Sequence, residues 1–282
     1  MQQRTLKNMQ QEHWKIAELP WGQFDATKVA PDILSVIKAA ALVEYNAHDY
    51  ADYLCHVFHA DAEFQKTIKA WALEEVQHGE ALGAWAMRAD PAFDFRAASS
   101  RYSAGYRVNV DANESIRGSH AGELIARCIV ETGTSSYYTA LGDGTDEPVL
   151  KAICRNIAAD ELRHYKMFYD YLKRYIESSG INRLARLKIS LGRMLESEDD
   201  ELSYAYFAAN APANAIYNRQ IYTDAYAARA YRFYRPDHVE RVVAMVFKAC
   251  GFKPHTAWQG VANRAAWWLL QVRKRKSVAK AA

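Results

Sequence analysis

Two of the nine histidines in this 282-residue chain have a glutamate three residues before them: Glu75–His78 and Glu161–His164. On a helix, residues i and i+3 are neighbours on one face, with Cβ atoms about 5–6 Å apart. A carboxylate and an imidazole spaced in this way can hold one metal ion together. One such pair among this many acids would carry little weight, but the surroundings of these two match. The first reads LEEVQH (73–78) and the second ADELRH (159–164), so each glutamate follows another acid, Glu74 or Asp160. Glu44, in AALVEYNA, precedes Glu75 by 31 residues; Glu131, in ARCIVETG, precedes Glu161 by 30. The chain therefore repeats one pattern: a helix with a glutamate, then a helix with Glu-x-x-His.

Six ligands from four helices, Glu44, Glu75, His78, Glu131, Glu161 and His164, can point into the middle of a bundle. The residues sharing their faces suit an interior: Ile37, Ala40, Ala41, Ala47 and Ala51 around Glu44, and Cys154, Ile157, Ala158 and Phe168 around Glu161. Four carboxylates in apolar surroundings repel one another strongly. Two divalent ions balance them and leave the histidines neutral. Mixed oxygen and nitrogen ligation, without the thiolates of many structural zinc sites, suits iron (Fe2+/Fe3+) or manganese. Metal-bound histidines usually donate their second ring N–H to a carboxylate, so Asp160 is expected on His78 and Glu74 on His164. Thr134, one turn after Glu131, is expected at an oxygen pocket rather than among the ligands; the competing reading is a helix threonine bonded back to an earlier carbonyl. His48, four residues after Glu44 on the same side, reads as a packed or hydrogen-bonded histidine rather than a seventh ligand, and Trp71 and Cys128 read as core.

The elements that must position these residues read as helices throughout. Residues 1–28 read as an irregular arm, and Pro31 suits a first helical turn. A long helix is expected over 31–58, and another from an Asp61 N-cap to about 88, ended by Asp90-Pro91. Residues 91–118 read as a long crossover with short helical turns. Helices follow at 119–141 and 146–178, separated by GDGT (142–145) and closed by SSG (178–180). Residues 181–234 read as helical with breaks at EDDE (198–201) and Pro212, and two final helices follow Pro236. There is no period-two alternation, no Asn-Gly hairpin, no GxGxxG and no P-loop. The expected fold is all-α: a ferritin-like four-helix bundle with a long crossover between its second and third helices and additional C-terminal helices. The expected organisation is an arm at 1–30, the bundle core at 31–180, and C-terminal helices at 181–282.

Composition bounds the rest. Half of the residues are hydrophobic and the net charge is +3, too near balance for a nucleic-acid binder. No run approaches the roughly 20 apolar residues of a membrane span, and MQQRTLKNMQQEHW is no signal peptide. The four cysteines form no C-x-x-C; reduced thiols in a cytoplasmic protein are expected.

At the ligand motifs the chain resembles ferritin-like di-iron carboxylate proteins, most of all the soluble acyl-carrier-protein desaturases. WALEEVQHGEAL (71–82) is similar to their first E-E-x-x-H-G segment, and EPVLKAICRNIAADELRHYKMF (147–168) to their second. Thr134 stands where that family has a threonine. The resemblance covers roughly 30–180 and leaves out the Tyr-rich C-terminal part. It implies an O2-dependent desaturase- or hydroxylase-like enzyme acting on an acyl or other apolar substrate, with an external electron donor such as ferredoxin; an acyl carrier protein and a homodimer are compatible partners. Aldehyde-deformylating enzymes, N-oxygenases, rubrerythrin-like peroxidases and iron-handling proteins use related ligands. Rubrerythrin-like proteins carry an additional glutamate where this chain has Thr134.

Overall fold

A computed structural model describes residues 13–196 and 200–281. Among them every regular element is a helix. Three short 3-10 turns between Ile16 and Lys28 lead into α1 (Pro31–Tyr45), α2 (Ala47–Val57), α3 (Ala62–Ala89), α4 (Phe95–Gly105), α5 (His120–Gly144) and α6 (Pro148–Ser179). The remainder forms α7 (Arg183–Glu196), α8 (Asp200–Asn210), α9 (Arg219–Ala230), α10 (Pro236–Cys250) and α11 (Ala257–Ala281). The chain is thus an all-α, ferritin-like bundle, with α1/α2, α3, α5 and α6 as its four rods. Residues 1–12 of the expected arm and two acids of the EDDE cluster, Glu198 and Asp199, lie outside the described residues.

Local chemistry starts and stops these helices. Asp61, Asp94, Ser119 and Glu147 each accept a hydrogen bond from a first-turn backbone N–H of α3, α4, α5 and α6, which satisfies donors that the helix itself cannot. Pro31 and Pro148 occupy the first turns of α1 and α6. Gly180 closes α6 at φ 63°, a left-handed conformation that costs glycine little. Glu147 also takes the indole N–H of the fully buried Trp85 at 2.7 Å, so the start of α6 is tied to α3.

Short loops make α1/α2 and α3 one antiparallel pair and α5 and α6 another. Their apolar faces form two clusters. One, with Val36, Ile37, Leu82, Trp85, Ile153 and Ile157, fills one end of the bundle. The other, with Leu54, Phe64, Ile68, Ile125, Phe168 and Leu172, fills the opposite end. Buried polar side chains lie between them.

Three expectations are corrected. The helix expected over 31–58 breaks at Asn46, whose N–H reaches back to Val43 at 3.1 Å. That tightened turn follows Glu44 directly, and it leaves His48 exposed on the surface rather than packed. The crossover contains a full helix, α4, which packs against α8. GDGT interrupts the chain later than expected: α5 runs to Gly144.

Candidate metal centre

Glu44 ends α1, Glu75 and His78 share a face of α3, Glu131 lies on α5, and Glu161 and His164 share a face of α6. All six are buried. They form two overlapping groups, Glu44, Glu75, His78 and Glu161, and Glu75, Glu131, Glu161 and His164, in each of which one ligand-type atom per residue lies within 4.8 Å of the others. Glu75 and Glu161 belong to both. His78 Nδ1 stands 3.3 Å from carboxylate oxygens of Glu75 and of Glu161, and His164 Nδ1 stands 2.9 Å from Glu75.

The outer ring nitrogens are held by acids. His78 Nε2 lies 3.0 Å from Asp160, and His164 Nε2 lies 2.8 Å from Glu74. A carboxylate accepts only, so each Nε2 carries the proton and each Nδ1 turns a lone pair inwards. Those two Nδ1 atoms, with Glu131 Oε1 and Glu161 Oε1, are buried without hydrogen-bond partners among the described residues. Lone pairs facing carboxylate oxygens at 2.9–3.3 Å repel unless a proton or a cation stands between them.

The electrostatics have the same source. Burial, and then repulsion from Glu75 and Glu161, pushes the Glu44 carboxyl far above its usual range. Burial and Glu161 do the same to Glu131. Burial opposes ionisation of Glu75, yet the adjacent His164 and His78 hold it well below its ordinary value. Both imidazoles are raised despite burial, His78 by its hydrogen bond to Asp160 and by the facing carboxylates of Glu161 and Glu75, and His164 by the charge of Glu75. The cluster therefore demands positive charge at its centre. Four carboxylates and two inward imidazole nitrogens fit divalent metal in their chemistry.

Around the centre lies a layer that spacing did not reveal. Trp14 Nε1 donates to Asp160 at 2.8 Å, and its ring stacks parallel to His78. His13 meets Glu74 at 2.7 Å. Arg163 bridges the two acids, 2.5 Å from Asp160 and 3.3 Å from Glu74. Hydrogen bonds to His13 and His164 and the charges of His164 and Arg163 hold Glu74 at about 2 despite its burial, and Asp160 is lowered as well, chiefly by His78 and Arg163. Tyr138 donates to Glu44 from α5. His13 and Trp14 fall in the irregular arm, where no period marks a site residue; Arg163 was visible only as a letter inside a motif.

Thr134 faces the centre. Its Oγ1 is 2.6 Å from Glu161 Oε2 and 3.2 Å from the carbonyls of Val130 and Glu131. The hydroxyl has one proton, and the short contact to a carboxylate takes it. Thr134 also lines a cavity of about 70 Å³ with Glu44, Glu75, Glu131 and Glu161. Trp71 and Cys128 are buried in the core, Trp71 edge-on to His164.

The model of the family described as "Fatty acid desaturase" matches residues 26–234. The chain belongs to this family. The match spans α1 to α9 and every residue of the buried cluster, and it supports an oxidoreductase. No curated protein matches the chain. Among the described residues no helix of this desaturase-family protein is long and apolar enough to cross a membrane.

Proposed function

We propose that this desaturase-family protein is an O2-dependent di-iron oxidoreductase, desaturase- or hydroxylase-like, acting on an acyl or other apolar substrate. One observation carries the reading: the two four-residue groups share Glu75 and Glu161, and each is completed by a histidine whose unpartnered Nδ1 faces the carboxylates. Glu75 and Glu161 would serve both ions, Glu44 and His78 the first, Glu131 and His164 the second. Iron is the proposed metal, with manganese the alternative. When bound, the ions would supply the redox chemistry that lets dioxygen oxidise a substrate C–H bond, using electrons from a separate donor such as ferredoxin. The free thiols suit a reducing compartment, and the cytoplasm is the proposed location.

The chain's own residues prepare the site. Asp160 and Glu74 hold the imidazoles in one tautomer, Arg163 favours the ionised form of both acids, and the hydrogen bond to His13 does so for Glu74. Replacing such an outer carboxylate typically costs 10–100-fold in metal affinity. Asp160→Asn is therefore expected to lose iron to a chelator at roughly 10–100-fold lower concentration than the parent. Equal retention would show that Asp160 does not support His78.

Thr134 holds its proton toward Glu161, at the edge of the cavity. Thr134→Val keeps the shape and removes the hydroxyl. The expected variant retains about two iron ions per chain, as a two-metal site requires, but couples oxygen uptake less tightly to product. Coupling equal to the parent's would remove the hydroxyl from the reaction, and loss of iron would make Thr134 part of the ligand framework.

The reading as a whole is tested by Mössbauer spectroscopy of the iron-loaded protein, followed by product mass spectrometry after aerobic turnover with reduced ferredoxin. A protein without coupled iron ions, or one that consumes no oxygen with any acyl substrate offered, ends it.

A further inference from the structure

We propose that the cavity beside the metal centre binds the free carboxylate of a short-chain carboxylic acid through Arg127 and Arg193. The inference rests on the di-iron reading for which end of the substrate reacts. The cavity is about 70 Å³, and Arg127, Arg193 and Glu201 line it together with the cluster carboxylates. Arg127 lies on α5 one turn before Glu131 and is 8 % exposed. Arg193, on α7, is half-buried.

Arg127 has no hydrogen-bond partner on the protein among the described residues, and its Nε is fully enclosed. It forms one long ion pair, Nε to Glu123 Oε1 at 3.6 Å, too far for a hydrogen bond. The other oxygen of Glu123 is already engaged by Tyr53 at 2.9 Å and Ser115 at 2.8 Å. Glu201 accepts from Tyr50 Oη at 2.5 Å. The Tyr50 ring lies against the guanidinium with its centroid 5.2 Å from Cζ. That contact supports one face of the fork and satisfies none of its donors. Arg193 forms no ion pair among the described residues.

A buried guanidinium without an acceptor is costly, and buried polar groups normally have partners. Its in-plane donors match a carboxylate's two oxygens. Glu201 on the cavity wall and Glu123 behind Arg127 reduce the local positive charge, which favours a singly charged carboxylate over a doubly charged phosphate.

The length of the acid follows from the geometry. Four residues of helix separate Arg127 from Glu131 by about 6 Å along the axis. At the roughly 10–15 Å³ that one water needs, the cavity takes about five waters. A chain of about six carbons fills such a space, with its carboxylate on Arg127 and its tail toward the ions. An acyl group esterified to a carrier has no carboxylate to offer.

The test is equilibrium binding to the iron-loaded protein, by calorimetry, of hexanoate, methyl hexanoate, hexyl phosphate and hexanoyl-loaded acyl carrier protein. Hexanoate is expected to bind at least about tenfold more tightly than the other three, as loss of a charge-assisted pair implies. Arg127→Gln should weaken hexanoate by about tenfold or more, Arg127→Lys should recover part of that loss, and Arg193→Ala, at a half-exposed position that does not threaten folding, should weaken it less. Iron content is measured on the same samples. A protein with two irons that binds acid and ester alike, binds hexyl phosphate or the carrier-bound acyl group more tightly, or binds hexanoate equally with Arg193→Ala and Arg127→Lys in place, overturns this inference alone. A protein that takes up no iron overturns the di-iron reading itself.

Discussion

Glu161→Ala is expected to empty both metal positions, whereas Glu44→Ala is expected to empty one. Glu161 and Glu75 belong to both four-residue groups, and Glu44 and Glu131 to one each. On the proposed assignment, removing a shared carboxylate would take a ligand from each ion and leave the other three acids and two imidazoles to repel or protonate. Removing Glu44 leaves Glu75, Glu131, Glu161 and His164 intact around the second ion. By elemental analysis the parent should carry about two ions per chain, Glu44→Ala about one, and Glu161→Ala well under one. Turnover should fall by about three orders of magnitude or more in both, because one ion of a two-metal site cannot clamp a reaction between two. Equal iron in the two variants would mean that Glu161 is not shared and that the assignment of bridging and terminal acids is wrong. Helix content should survive in both, since the two apolar clusters lie on either side of the ligands and contain none of them.

The cluster was legible in the sequence because helix geometry is short-range. The i, i+3 relation of Glu75 to His78 and of Glu161 to His164 holds on any straight helix, and α3 and α6 run unbroken through both pairs. That four such faces meet followed from charge, since four buried glutamates need each other's cations. What stayed hidden depends on contacts distant in the chain or on small backbone departures. Trp14 reaches Asp160 across 146 residues, and nothing in MQQRTLKNMQQEHW announces it. Arg127 carries no spacing signal, and its burial depends on the packing of α7 against α5. The turn at Asn46 involves neither proline nor glycine, so His48, four residues after Glu44, looked like a neighbour on the same face. The crossover's α4 has an Asp94 N-cap that could have been read, but the Ser, Arg and Gly around it weakened the periodicity.

Gly79→Ala is expected to lower both stability and iron content, and its cause lies in one close approach. Gly79 follows His78 on α3, where α1 ends against it. A Cβ at this position would stand 2.5 Å from the backbone nitrogen of Tyr45 and 2.8 Å from its Cα. These are backbone atoms and cannot swing aside, so the helices must separate. Alanine in place of glycine gains about 1 kcal/mol of helix propensity, but overpacking of this kind costs about 1–3 kcal/mol, occasionally more, and rigid backbone on both sides favours the upper end. A net loss of about 2 kcal/mol lowers the melting temperature by roughly 4–8 °C in a chain of this size. Tyr45 is the residue after Glu44, so the same separation draws Glu44 away from Glu75 and His78, and the ion they share should be lost first. Gly83→Ala, one turn further along α3, is the control. There the new Cβ meets the Phe95 ring at 2.8–2.9 Å, a side chain that can shift, and no ligand adjoins it. The expected pattern is lowered melting and about one ion per chain for Gly79→Ala, against smaller destabilisation and both ions for Gly83→Ala. If Gly79→Ala melts with the parent and keeps both ions, the α1–α3 approach does not set the position of Glu44.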